Sequence, residues 1–112
     1  MEITVEKVED VAIVEIPVEE LDASNAGEFK RDMAPVLEGS TKLVIDLSRL
    51  HFVDSSGLGA MLSCLRQVTA KGGDLELCGM SKQVRAAFEL VRMHRIFDIF
   101  GTREEAVHAF RA

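Results

Sequence analysis

The residues best placed to do chemistry are two adjacent serines, Ser55 and Ser56, which lie between Asp54 and Gly57. The apolar run before them, from Leu43 to Leu47, is typical of a buried strand. The apolar residues after them recur at helical spacing: Leu58, Met61, Leu62 and Leu65. Two hydroxyls therefore occupy a strand-to-helix junction, where backbone N–H groups and the helix dipole favour an anion. A serine there can simply cap the helix, or it can be a place where a phosphate is added, held and read.

The other reactive side chains do not form a pattern typical of an enzyme. The three histidines, at 51, 94 and 108, are scattered and match no metal-ligand spacing. The segment 54–57 is not a Gly-x-Ser-x-Gly nucleophile elbow, and no phosphate-binding Gly-x-x-x-x-Gly-Lys-Ser/Thr loop is present. We therefore predict no catalytic residue, no metal and no cofactor. The alternative from another class is a small hydrolase or phosphotransfer enzyme that uses Ser55.

Two cysteines, Cys64 and Cys78, are separated too widely for a Cys-x-x-Cys redox loop or a metal knuckle. One falls in a helical pattern and the other in a strand pattern, so we predict two buried free thiols. The N-terminus is charged and carries no secretory signal. Together these features predict a reducing, cytoplasmic location.

The length and charge of the chain restrict its class. Its 112 residues are enough for one domain, 1–112, with a modest core. A net charge of −6 argues against nucleic acid and against anionic membrane surfaces as partners. The longest uncharged run, Ser55–Leu65, is too short to span a bilayer.

The hydrophobic patterns predict the element order β-β-α-β-α-β-α-(β)-α. Segments 3–8 and 11–16 indicate an antiparallel hairpin, and strands that alternate with helices indicate parallel crossovers. We thus expect an α/β domain with a mixed four- to five-stranded sheet, largely parallel after the hairpin and packed by about four helices. Expected helix-start signals are Asp22, Ser24 or Asn25 for the first helix, Ser81 for the third, and a Thr102–Glu105 capping box for the last. Pro35 should loosen the first helix, and segment 96–99 should form an edge strand.

The motif Val44-Ile45-Asp46-Leu47, followed by Phe52-Val53-Asp54-Ser55-Ser56-Gly57-Leu58-Gly59, resembles the signature of bacterial anti-anti-sigma factors, the STAS domain family. Further matches are Glu20-Leu21-Asp22, Gly72-Gly73 with Leu75-Glu76-Leu77, the helix from Val84 to Phe88, and Ile96-Phe97. The resemblance covers nearly the whole chain.

The resemblance implies a STAS-like fold and a non-catalytic phospho-switch. In that family the unphosphorylated protein binds an anti-sigma factor that is also a serine kinase, which frees the sigma factor. The kinase then phosphorylates the serine that corresponds to Ser55, the complex dissociates, and a serine phosphatase resets the switch. ATP and magnesium would belong to the kinase. The residues implied to contact the partner are Asp22, Asp54, Ser55, Ser56, Gly57 and Leu58.

Several interpretations remain open at this point. Glu19 stands where the family often has glycine, which bears on which kinase is bound. The alternative function is a STAS scaffold or ligand-sensing module in another bacterial signalling pathway. Asp46 could be a buried, hydrogen-bonded carboxylate or part of an acidic surface at the strand end. The basic residues around the third helix fit a solvated face better than a dedicated partner patch: Lys82, Arg85, Arg92 and Arg95.

Overall fold

Seven strands and four helices follow one another in residues 1–111, the part of the chain that the computed structural model describes. They are β1 (Thr4–Val8), β2 (Val11–Glu15), β3 (Glu20–Leu21), α1 (Ala26–Gly39), β4 (Lys42–Asp46), β5 (Phe52–Val53), α2 (Ser55–Ala70), β6 (Asp74–Cys78), α3 (Lys82–Leu90), β7 (Asp98–Phe100) and α4 (Arg103–Ala109). A 3-10 turn at Met93–Arg95 lies between α3 and β7.

The main sheet has five strands in the order β1-β2-β4-β6-β7. The β1–β2 pair is antiparallel, and every other neighbouring pair is parallel. This confirms the predicted α/β class, the mixed sheet and the N-terminal hairpin. The hairpin turns at Glu9, whose φ of 59° lies in the left-handed region.

The sheet separates two layers of helices. Alternate residues of β2, among them Ala12 and Val14, face a large core that includes apolar residues of α1, α2 and α3. The intervening residues Val11 and Ile13 face a smaller cluster with Ala106 and Val107 of α4. The middle strand β4 is buried on both faces, which explains its nearly unbroken apolar run.

Strands β3 and β5 pair in parallel as a separate two-stranded sheet, which the sequence did not predict. Each is two residues long, too short for a period-2 pattern to be recognised. Their register places Leu21 beside Val53. This pairing brings the segment before α1 to the segment before α2.

The chain around β7 differs from the prediction of a strand over segment 96–99. Strand β7 spans Asp98–Phe100, and Ile96 and Phe97 instead follow the 3-10 turn. Phe97 is buried and packs edge-to-face on Phe88, with ring centroids 5.8 Å apart. The predicted edge strand is therefore present but begins two residues later: β7 contains Ile99, which pairs with Leu77 at the edge of the sheet, whereas Phe97 packs against α3. In α1, the helix continues past Pro35 to Gly39.

Arg103, at the start of α4, joins that helix to the sheet. Its Nε donates to Asp46 Oδ2 at 2.5 Å, and its Nη2 donates to Glu15 Oε2 at 2.7 Å. Asp46 is buried, and its Oδ1 also accepts from Ser48 N–H at 2.9 Å. Burial alone would raise the pKa of Asp46, but the hydrogen bonds from Arg103 and Ser48 outweigh it and hold that pKa below its ordinary value. Of the two readings of Asp46, the buried and hydrogen-bonded carboxylate is the one found.

Within residues 1–111, no helix combines the length and apolar composition that crossing a bilayer requires.

Candidate functional site

Asp54 organises the junction between β5 and α2. It is the N-cap of α2, with extended backbone, and its Oδ1 accepts from Gly57 N–H at 3.0 Å. Its Oδ2 accepts from Ala23 N–H at 3.2 Å. One carboxylate therefore stabilises the first turn of the helix and fixes the neighbouring loop against it.

Ser55 and Ser56 are the first two residues of α2, and both are exposed. Since Asp54 supplies the cap, neither serine is needed for that task. The end of α2 nevertheless carries the positive pole of the helix dipole and backbone N–H groups that lack helical acceptors. Two exposed hydroxyl groups therefore lie at a helix end where negative charge is stabilised.

Asp22 lies in the loop that Asp54 fixes. Its Oδ1 accepts from Ser24 N–H at 2.9 Å and from the Ser24 hydroxyl at 2.5 Å. The hydroxyl bond, and then the backbone bond, lower the pKa of Asp22, so that carboxyl is ionised at neutral pH. Because Ala23 binds Asp54 directly, Asp22 and Asp54 belong to adjoining loops at the same rim of the molecule.

Gly57 and Leu58 are buried, unlike the other four residues predicted to contact a partner. A Cβ on Gly57 would lie 2.3 Å from the carbonyl oxygen of Leu21 and 2.6 Å from Val53 Cγ2. Leu58 is only 6% exposed. In the structure these two residues form the packed support of the junction, and their place among the partner-contacting residues stays a prediction.

Phe52 is exposed, although a large aromatic side chain is more often buried. Its side chain is 51% exposed, while Val53 points into the core, as alternation along β5 requires. Three further apolar side chains that are more than half exposed lie at the end of α3 and just beyond it: Leu90, Val91 and Ile96. An alternation signal could have identified Phe52 only if β5 had been recognised as a strand.

Glu19 is accommodated without backbone strain. Its φ is not in the left-handed region, and its carbonyl accepts from His51 N–H at 2.7 Å and from Phe52 N–H at 3.1 Å. Glycine's conformational freedom is therefore not required here, and the Glu19 side chain is simply an additional exposed carboxylate near the junction.

Cys64 and Cys78 are free and buried, as predicted. Burial raises the pKa of each thiol to about 12, so both are protonated and unreactive at neutral pH. The basic residues of α3 and the following turn are exposed, and Arg85 pairs with Glu89 one turn along the helix at 3.2 Å.

The family model of the STAS domain matches residues 2–106. A relative from Bordetella bronchiseptica, named "Putative anti-sigma factor antagonist BtrV", is 30% identical over 112 residues, which cover 99% of this chain and 96% of that protein.

Solved structures show the same fold. The crystal structure of tm1081 from Thermotoga maritima aligns with a TM-score of 0.90 at 28% identity and covers 98% of this chain and 95% of the other. The anti-sigma factor antagonist SpoIIAA in its unphosphorylated form aligns with a TM-score of 0.81 at 25% identity, and the alignment covers 98% of this chain and 96% of SpoIIAA. SpoIIAA has also been solved in a phosphorylated form, which matches this fold with a TM-score of 0.72 at 22% identity and covers 97% and 99%.

Proposed function

The chain belongs to the STAS domain family, and on this premise we propose that it is an anti-sigma factor antagonist controlled by phosphorylation of Ser55. In this proposal the unmodified protein binds an anti-sigma factor with serine kinase activity in the bacterial cytoplasm. Transfer of phosphate to Ser55 dissociates the complex, and a serine phosphatase restores it. The observation that carries the proposal is the exposed Ser55 at the start of α2, beside a cap that does not depend on its hydroxyl.

The arrangement of side chains supports a non-catalytic role. Nucleophilic serines are activated by a base within hydrogen-bonding reach. Among residues 1–111, the junction's hydrogen bonds are those of Asp54 and Asp22, and none joins the Ser55 hydroxyl to a histidine or a carboxylate. Ser55 is therefore better suited to accept a group from a partner enzyme than to attack a substrate itself.

The same geometry implies that phosphorylation acts at the interface rather than on the fold. Phosphoserine adds roughly −1.5 to −2 charges at neutral pH. At the N-terminus of α2 this charge gains on the order of 0.3–1 kcal/mol from the helix dipole, and the nearby Asp54 carboxylate opposes that gain. Since Ser55 is exposed, no core packing is lost. We expect the phosphorylated protein to unfold at nearly the same temperature as the unmodified one.

A docked partner would meet a different surface after modification. A partner can cover the small Ser55 hydroxyl closely and bury the exposed ring of Phe52, three residues earlier in the chain, whereas a phosphate on Ser55 brings charge and volume to this surface. Asp22, Asp54 and Glu19 add negative charge nearby. If this mismatch costs about 3 kcal/mol, affinity falls roughly a hundredfold.

The test is affinity capture from native lysate with three baits: wild type, Ser55→Ala and Ser55→Asp. We expect the first two to retain a kinase-like protein and Ser55→Asp to lose it while melting like wild type. With the captured protein and labelled ATP, label should enter wild type and the matched control Ser56→Ala, but not Ser55→Ala. Equal capture by all three baits would instead indicate a scaffold, and unfolding of Ser55→Asp would contradict the interface account.

A further inference from the structure

Three carboxylates meet at the opposite end of the sheet from the start of α2. Asp74 and Asp98 are the first residues of β6 and β7, and the register of these strands pairs Glu76 with Asp98. Asp74 and Glu76 are two residues apart on one strand, so they share a face of the sheet. One oxygen atom from each of the three side chains lies within 4.8 Å of the others.

The central carboxylate of this cluster lacks a partner. Glu76 is only 4% exposed, and among the described residues its Oε2 has no hydrogen-bond donor. Burial, followed by the charges of Asp74 and Asp98, raises the pKa of Glu76 to about 7. A buried and unpaired carboxylate is costly, and native proteins nearly always give such a group a donor or a cation.

The protein's own cation at this edge is engaged elsewhere. Lys42, the first residue of β4, lines the same region, but its Nζ donates to Asp10 Oδ2 at 2.8 Å. The lining residues from this part of the chain, Ala109 at the end of α4 and Phe110 directly after it, are uncharged. The three carboxylates border an open cavity of about 520 Å³, so a small ion can reach them from solvent.

We propose that Asp74, Glu76 and Asp98 form a binding site for a hard divalent cation, and that Ca²⁺ is the cation it fits. Carboxylate oxygens are the ligands that such cations prefer. Ca²⁺ accepts six to eight oxygen ligands in flexible geometry at about 2.3–2.6 Å, whereas Mg²⁺ demands near-ideal octahedral geometry at about 2.0–2.1 Å and dehydrates reluctantly. Three carboxylates from two adjacent strand starts, completed by water, therefore suit Ca²⁺ better than Mg²⁺. The fourth and further ligands would be water, which predicts a dissociation constant of about 10⁻⁴–10⁻³ M.

The test is calorimetric titration of the full chain with CaCl₂ at pH 7.5, together with thermal unfolding in the same buffers. The ionic strength is held constant with KCl because the net charge of −6 makes general screening by any divalent salt appreciable. We expect saturable binding, a rise in melting temperature, and at least tenfold weaker binding of Mg²⁺. Glu76→Gln and Asp98→Asn should each weaken Ca²⁺ binding at least tenfold. The exposed Glu38→Gln is the matched control and should bind like wild type.

Two results would overturn the site. One is that wild type shows no saturable binding at Ca²⁺ concentrations up to about 10 mM, which is about ten times the upper end of the expected range of dissociation constants. The other is Ca²⁺ binding by Glu76→Gln that equals that of wild type. Equal affinity for Mg²⁺ would overturn the assignment to Ca²⁺. None of these outcomes bears on the function proposed for Ser55, whose variants should bind Ca²⁺ normally.

Discussion

Replacing Arg103 by methionine should lower the free energy of unfolding by about 2–3 kcal/mol at pH 7 without changing the fold. Removing one partner of a buried ion pair typically costs about 3–5 kcal/mol, because the other charge stays buried. The side chain of Asp46 is 8% exposed, but that of Arg103 is 31% exposed, and Asp46 keeps its bond from Ser48 N–H. These two features place the expected cost below that range. Methionine retains much of the apolar stem, so packing is largely preserved.

The pH dependence of this variant follows from the pKa of Asp46. In wild type that pKa is below its ordinary value, so the stabilisation is present above the unfolded pKa of 3.8 and is lost as the pH falls through the lower folded value. Without Arg103, burial becomes the main influence and the pKa of Asp46 should rise. The folded variant then prefers a protonated Asp46, so the difference between variant and wild type should shrink as the pH is lowered from 7 towards 4.

The assay is urea denaturation followed by far-UV circular dichroism at several pH values. A loss of about 2–3 kcal/mol corresponds to a drop of roughly 10 °C in melting temperature for a chain of this size. Arg111→Met is the matched control, because Arg111 pairs with Glu9 on the exposed surface at 2.6 Å. That pair should contribute less than about 1 kcal/mol. Adding Asp46→Asn to Arg103→Met should recover part of the loss, since the unpaired charge is then absent.

If Arg103→Met is no more destabilising than Arg111→Met, the Arg103–Asp46 pair does not stabilise the fold as a buried ion pair. The same conclusion follows if Asp46→Asn worsens the Arg103→Met background, because the cost could not then come from an unpaired buried carboxylate. In either case the attachment of α4 to the sheet would have to depend on the apolar contacts of Ala106 and Val107.

Three further substitutions test the junction and the acidic cluster. Gly57→Ala should lower the free energy of unfolding, measured by urea denaturation, by about 2–3 kcal/mol, because the new Cβ meets the Leu21 carbonyl. In the control Gly59→Ala the new Cβ meets open space, so this variant should stabilise α2 by up to about 1 kcal/mol. Asp54→Ala should cost about 1–2 kcal/mol through loss of the cap, and an unchanged urea midpoint would argue against that role. The pKa of Glu76 in the folded protein is raised to about 7, so wild type should lose stability as the pH rises from 4.5 through 7. Glu76→Gln should not show this loss. If the melting temperatures of the two proteins change with pH in parallel, Glu76 is not the cause.

The features that the sequence predicted correctly are those with local causes. Ser81 and Thr102 each accept a hydrogen bond from a backbone N–H three residues later, as the predicted capping residues should. The hairpin follows from the Val- and Ile-rich segments on either side of Glu9 and Asp10. In each case the residues that determine the structure lie within a few positions of one another.

The features that the sequence did not predict depend on distant residues. Arg103 and Asp46 are 57 positions apart, so their pairing leaves no local pattern, and the sequence could not choose between two readings of Asp46. The β3–β5 pair depends on backbone bonds between segments of two residues. As a result the exposure of Phe52 could not be read from the sequence, whereas the position of both serines at the start of a helix could.

The packing of Gly57 against the Leu21 carbonyl has a consequence for how members of such a family could diverge. The backbone of the junction tolerates almost no change, because any larger side chain at this position would displace two segments at once. Glu19, Phe52 and Ser56 lie in the segments that meet at this junction and have exposed side chains that the core does not constrain. Paralogues in one cell could therefore keep the same modification chemistry and alter only these neighbours. Separate signalling pathways without cross-talk would then evolve with almost no loss of folding stability.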